Sequence, residues 1–314
     1  MNLDELSEWL AACYDLARPI TCRLVRSYTN DVYAVETPGG RFVLKLYRNG
    51  WRTEPEVRYE VALLRHLSAK GLSVAAPVAG KDNDAVKMVE APGAGRRPAV
   101  LFEYAPGEKP QPPFTPALYV AFGQAVARMH ELSDDFDTEH MRSPLDLNHL
   151  IDEPLALALP LFEQADDRDF VTHIAGRVKD GIHALACEGL DGGPIHGDAT
   201  LDNLHVTAEG EIVLYDFDSG GPGWRAADLQ GWAAADKAGY AEKRDAFQSG
   251  YSGVRPIKPV DLRAAPYLTI AWDIWGIKID LDYRILQQGR EHTGEYLSEQ
   301  AALLRERERT LLRG

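Results

Sequence analysis

Cysteine is scarce: Cys13, Cys22 and Cys187 are the three in 314 residues, too few and too scattered for a disulfide framework or a zinc site. They read as small apolar residues of a protein kept in a reducing compartment. Long hydrophobic runs are missing too. No stretch approaches the ~20 apolar residues that span a bilayer, and the acidic, amphipathic start Met-Asn-Leu-Asp-Glu-Leu is neither a signal nor a transit peptide. A cytoplasmic protein without membrane partners is expected. Positive charge is in deficit, with a formal net charge of −14. That argues against nucleic-acid binding and mildly favours neutral or cationic substrates.

Several catalytic signatures are also absent. There is no Gly-x4-Gly-Lys-[Ser/Thr], which excludes a P-loop, and no His-Glu-x-x-His, paired Cys-x-x-Cys or Gly-x-Ser-x-Gly, which weakens metalloprotease, zinc and α/β-hydrolase readings. A dinucleotide-type pattern does occur, Gly221-Pro222-Gly223-Trp224-Arg225-Ala226 with Glu242 further on. It fails on context. The segment before it ends in Asp216-Phe217-Asp218, whose carboxylates would face a pyrophosphate, and Pro222 lacks a backbone donor.

What is present is ordinary in bulk, 45% hydrophobic and 26% charged, and uneven in arrangement. A helix over 3–17 precedes three strands, Cys22 to Val25, Val32 to Glu36 and Arg41 to Tyr47, the last two joined by Thr37-Pro38-Gly39-Gly40. A helix over 54–70 and strands near 85–90 and 98–104, around Pro92-Gly93-Ala94-Gly95, complete a β-rich part. Residues 105–116 hold five prolines and one glycine, the best linker in the chain. Beyond it the pattern is mainly helical: about 116–132, 153–164, 168–188, 226–238, 240–251, 264–290 and 292–312, with Asp191-Gly192-Gly193 as a turn. Two lobes are expected, 1–104 and 105–314.

The chemistry concentrates in residues 194–219. Leu204 to Val206 and Ile212 to Tyr215 flank Thr207-Ala208-Glu209-Gly210 and read as a hairpin. At its open ends stand Asp198, Asn203 and Asp216. Two carboxylates and an amide oxygen suit a hard cation such as Mg²⁺, and they suit phosphoryl transfer, which is mostly positioning and charge neutralisation. Upstream, Lys45 lies on the third strand among apolar neighbours, facing with Val43 and Tyr47. Glu60 lies mid-helix on the following helix and can pair with Lys45, holding it over a phosphate. Glu56 is in the first turn, where acids simply favour the dipole.

The order Lys45, Glu60, proline-rich hinge, His196-Gly197-Asp198-x4-Asn203 and Asp216 resembles the aminoglycoside phosphotransferase and choline kinase group, relatives of protein kinases. The likeness spans most of the chain. The resemblance implies an α+β, protein-kinase-like bilobal fold with a small β-rich N-lobe, a larger helical C-lobe and ATP between them. It implies that Asp198 orients the acceptor hydroxyl and takes its proton, and that Asn203 and Asp216 hold Mg²⁺. Lys45 with Glu60 would hold the non-transferred phosphates, Ser27 or Asn30 would donate to phosphate, and Phe102 to Ala105, Glu103 and Ala105 included, would meet adenine. His196 would brace the loop and Asp228 buttress it. Asp218 is open between a second metal contact and a loop residue. The Ser27-to-Asp31 loop carries no glycine, unlike protein kinases. The continuation Asp-Phe-Asp-Ser-Gly-Gly-Pro-Gly-Trp is similar to the bacterial homoserine-kinase-like and stress-response branch. That branch holds both small-molecule kinases and a Ser/Thr protein kinase; the net charge and the acid-rich stretches 133–140 and 163–169 make a small, amine-bearing molecule with a hydroxyl the expected acceptor. A Ser/Thr protein kinase and a nucleotide-binding pseudoenzyme are the alternatives.

Overall fold

The computed structural model describes residues 2–91, 95–229, 240–288 and 293–312. Two compact units interleave along the chain: Met1–Phe114, Glu131–Arg142 and Leu201–Asp218 in the first, Thr115–His130, Ser143–Thr200 and Ser219–Gly314 in the second. Residues 201–218, which the sequence placed with the helical part, thus group with the sheet.

The first unit is built on five antiparallel strands, β1 (Thr21–Ser27), β2 (Asn30–Thr37), β3 (Gly40–Tyr47), β4 (Val86–Ala91) and β5 (Gly95–Glu103), in the order β1-β2-β3-β5-β4. Alternation sorts the strands into two faces. On one, Val35, Leu44, Leu46, Ala99 and Leu101 pack with Leu6, Leu10 and Tyr14 as a buried cluster. Leu6 and Leu10 come from helix α1 (Leu3–Cys13), which starts on a capping box between Asn2 and Glu5. It ends four residues before the sequence suggested, because Tyr14 turns extended and spends its ring in that cluster. The other face carries Val32, Val43 and Lys45. Helix α2 (Glu54–Ala69) begins on a second capping box, in which Glu56 accepts from the Thr53 backbone and hydroxyl, both at 2.9 Å. Glu56 is thereby engaged at the helix start, while Glu60, one turn on, is buried.

The expected hairpin is present as β7 (Leu204–Val206) and β8 (Ile212–Leu214), numbered after β6 (Gly192–Ile195) of the second unit. Two links hold it to the first unit. Leu214 bonds through its backbone to Ser73 and Ala75, each at 3.0 Å, and Glu108 exchanges backbone bonds with Val206. Gly107, at φ +85°, makes the second link possible: a Cβ there would stand 2.3 Å from the Val206 carbonyl. The hairpin is therefore pinned at both edges, and its open ends are fixed in place.

The second unit is mainly helical: most of α3 (Pro116–Leu132), then α4 (Glu153–Ala158), α5 (Ala165–Ala186), α6 (Tyr240–Ser252), α7 (Pro259–Gln288) and α8 (Gly294–Arg307). Its two-stranded sheet pairs β6 with β9 (Gly221–Trp224). Both strands were missed by the sequence reading, since Gly-Gly-Pro-Ile and Gly-Pro-Gly-Trp carry turn residues rather than strand formers. The start of the dinucleotide-type pattern is thus strand β9. The helix expected over 226–238 begins instead as a short 3₁₀ helix, Arg225–Leu229, and its remainder lies outside the described residues, as do Pro92, Gly93 and Ala94 of the expected turn. Among the described residues no helix is long and apolar enough to cross a membrane. The fold is α+β, a small antiparallel sheet unit and a larger helical one.

Candidate active site

In the first unit one cavity of about 300 Å³ gathers most of the residues singled out from the sequence. Lys45, Glu60, Asn203 and Asp216 line one part of it, and Phe102, Glu103, Tyr104 and Ala105 another. Lys45 is the centre of its charge. Its ammonium lies 2.6 Å from Asp216 Oδ1, 3.6 Å from Glu60 and 4.0 Å from Asp218. Burial alone would lower the Lys45 pKa, but Asp216, Asp218 and Glu60 outweigh it and hold the amine above its ordinary value.

The two aspartates are driven apart. Burial works against a charge on Asp216, yet Lys45, and then Arg26, keep its carboxyl well below the usual range. Asp216 also sits at φ +66°, a left-handed conformation uncommon outside glycine, which directs its side chain away from the hairpin's regular path. Asp218 is raised to about 6, by burial first; the Asp216 and Glu60 charges add to it. Its carboxylate accepts from Asn30 and from Trp51 Nε1, the latter at 3.2 Å. Its backbone carbonyl accepts from Arg52 Nε at 2.8 Å and from Arg142. Arg142 also stands 3.8 Å from the second oxygen of Glu60. Trp51, Arg52 and Arg142 carried no motif, so sequence reasoning did not find them.

Asn203 and Asp216 offer an amide oxygen and an ionised carboxylate to the same cavity. Among the described residues there is no cluster of three or more His, Cys, Asp or Glu to cage a metal. Two oxygen donors are nonetheless what Mg²⁺ asks of a protein when phosphates and water complete its shell. The donor set fits.

The cavity wall at Tyr104 and Ala105 is stiffened by two contacts. Tyr104 stacks under the Arg41 guanidinium at 4.0 Å, and the Ala105 carbonyl bonds His205 Nδ1 at 2.8 Å. Ser27 and Asn30 are not part of the cavity lining. Ser27 Oγ donates to Asp31 at 2.5 Å and Asn30 donates to Asp218. In their neighbourhood the lining is Val25, Arg26 and Val32.

Asp198 belongs to the second unit and is itself exposed, while His196, Gly197 and Ala199 around it are buried. Buried Asp228 accepts from the His196 backbone at 2.7 Å, from the Gly197 backbone at 2.9 Å and from His130 Nε2 at 2.9 Å. Burial opposes the charge on Asp228, but His130 and the loop hold its carboxyl below the usual range. Gly197 has φ +76°, and a Cβ there would meet the Ser219 carbonyl at 2.5 Å. From α7, Trp272 Nε1 donates to the Gly197 carbonyl at 2.8 Å. The residue before Asp198 is therefore held on its N–H, its carbonyl and its missing side chain.

The sequence pattern of the phosphotransferase enzyme family matches residues 21–260. A homoserine kinase from Neisseria meningitidis serogroup B is 31% identical over 260 residues, 81% of this chain and 80% of that one. Among solved structures, a microcompartment-associated aminopropanol kinase superposes with a TM-score of 0.77 at 21% identity, covering 97% of each chain. An amicoumacin kinase in complex with AMP-PNP, Ca²⁺ and Ami gives 0.75 at 21% identity, covering 99% of this chain and 95% of that one. These structural likenesses establish the kinase-like fold, and the amicoumacin kinase shows it holding an ATP analogue with a divalent cation.

Proposed function

The chain belongs to the phosphotransferase enzyme family, and from that premise we propose that it is an ATP- and Mg²⁺-dependent kinase. It moves the γ-phosphate onto a hydroxyl of a small, amine-bearing molecule. The observation that carries this reading is the shared cavity: Lys45, Glu60, Asn203 and Asp216 converge there with the hinge residues Phe102 to Ala105. Phe102 to Ala105 would hold adenine through their backbone groups, and Lys45, in another part of the same cavity, would hold phosphate. Glu60 holds the ammonium in place; Lys45 holds the non-transferred phosphates. Asn203 and Asp216 hold the cation, which supplies charge neutralisation for the transfer. Ser27 and Asn30 donate to phosphate on exchanging their bonds to Asp31 and Asp218. Asp198 orients the acceptor hydroxyl and takes its proton as the P–O bond forms.

Two facts support a small amine-bearing acceptor. The net charge of −14 favours a cation over an anion. The homoserine kinase and the aminopropanol kinase carry, in their names, acceptors that combine an amine with a hydroxyl. The test is ATP turnover with Mg²⁺ against a panel of amino alcohols, aminoglycosides and sugars. One amino alcohol or aminoglycoside should stimulate turnover and carry the label from γ-labelled ATP. Label found on protein bands and on no small molecule would select a protein kinase instead.

A further inference from the structure

The β1–β2 ladder contains one irregularity, and it lies beside the cavity. Leu24 stands opposite Tyr33 and Arg26 opposite Val32, so Val25 is an extra residue in β1. Such a bulge shifts the phase of everything after it and re-aims side chains next to functional sites. In unbroken register Arg26 would oppose Asp31, in the row of Leu46 and Ala99, on the face packed against α1. With the bulge it falls instead into the row Arg26, Val32, Lys45, Val100. The two cations then share one face, and Val25, Arg26, Val32 and Lys45 all line the cavity.

There they divide one carboxylate. Lys45 takes Asp216 Oδ1 at 2.6 Å, and Arg26 Nη2 takes Oδ2 at 3.1 Å. Their footing differs. The Lys45 side chain is 6% exposed and anchored by Glu60, whereas that of Arg26 is 53% exposed. An ion pair that open is cheap to release; a buried one is not. A cation bound at Asp216 competes with both for the carboxylate, and the exposed Arg26 is the partner cheaper to release. A freed guanidinium facing the phosphate end of the cavity has an obvious partner, since its planar fork matches phosphate oxygens.

We propose that Arg26 is a phosphate clamp for the nucleotide, placed by the Val25 bulge, which guards Asp216 and exchanges it for the phosphates when the metal–nucleotide complex arrives. This rests on the kinase reading above. It supplies, from one side chain, the phosphate contact that a loop without glycine does not offer through its backbone. Arg26 so acts in opposite directions on two ligands: it helps the nucleotide and competes with the bare cation.

Isothermal titration of the full chain separates the two. For AMP-PNP with Mg²⁺, Arg26→Gln should raise the dissociation constant about tenfold, and Arg26→Lys should recover part of that loss. Arg65→Gln, an equal charge change on an exposed α2 position, should leave it unchanged. For Mn²⁺ alone, Arg26→Gln should bind more tightly than the wild type. Unchanged AMP-PNP affinity in Arg26→Gln overturns the clamp, and weaker Mn²⁺ binding overturns the exchange. If the wild type itself fails to bind AMP-PNP, the kinase reading falls and takes this one with it.

Discussion

The Lys45 region of the first unit and the Asp198 turn of the second solve opposite problems. Around Lys45, buried charges confront each other: one ammonium faces three carboxylates, and two arginines hold the Asp218 carbonyl. Such a site is tuned by electrostatics: Lys45 is held above its ordinary pKa, Asp216 well below and Asp218 above. Around Asp198 a single buried carboxylate, Asp228, collects two backbone N–H groups and a histidine, and a tryptophan secures the next carbonyl. That turn is held by geometry, and the side chain it presents is left exposed. In the proposed function, the groups assigned to phosphate and metal are themselves gripped by charge, and the group assigned to the proton is placed by a hydrogen-bonded backbone.

The sharpest way to break this contrast is to neutralise the presented group. Asp198→Asn should lower kcat by about 10³, within the range for loss of a positioned base, with the AMP-PNP dissociation constant unchanged. A parallel loss of nucleotide affinity would show that the two regions do not have separate tasks. Next comes the scaffold of the turn. Asp228→Ala leaves the His196 and Gly197 N–H groups and His130 without their buried acceptor. It should cost about 3–5 kcal/mol of stability in denaturant titration. A loss below ~1 kcal/mol would mean the turn holds itself.

Acid should separate the regions by sign. Burial holds His130 below its ordinary pKa, so the unfolded chain binds that proton more readily, and stability is lost as pH falls through about 6.5. Asp218, raised to about 6, does the reverse: the folded state takes the proton first, and stability is gained as pH falls from about 6 toward 4. Measured across pH 7 to 4.5, the Tm of wild type minus that of Asp218→Asn should therefore rise on acidification. The difference against His130→Gln should shrink. A flat difference for either would remove that group from the account. The smallest expected effect is that of Trp272→Phe, which deletes one N–H donor to Gly197. It should lower kcat by about 2–10-fold, the worth of one neutral hydrogen bond, with nucleotide KM unchanged.

Much of this was legible in the sequence. Hydrophobic alternation and turn residues located β1 to β5 and the β7–β8 hairpin, because these obey local rules. Glu60 could be preferred over Glu56 on helix position, and the structure supplies the reason in the Thr53 cap. What stayed hidden was non-local. Strands β6 and β9 are glycine- and proline-rich, and they hold only because they pair across some thirty residues. Arg26 was invisible for a different reason: the expected strand stopped at Val25, whereas β1 runs on to Ser27 through a bulge that sets which face Arg26 takes. Trp51, Arg52 and Arg142 converge on Asp218 from separate segments, with no spacing to betray them.

The central claim is that Asp216, held ionised by Lys45, is what makes nucleotide binding depend on a divalent cation. Calorimetric titration of AMP-PNP with and without Mg²⁺, on wild type and on Asp216→Asn, tests it directly. The account predicts binding strengthened at least tenfold by Mg²⁺ in the wild type, and a strengthening largely lost in Asp216→Asn. Equal dependence on Mg²⁺ in both proteins, or none in the wild type, would contradict it.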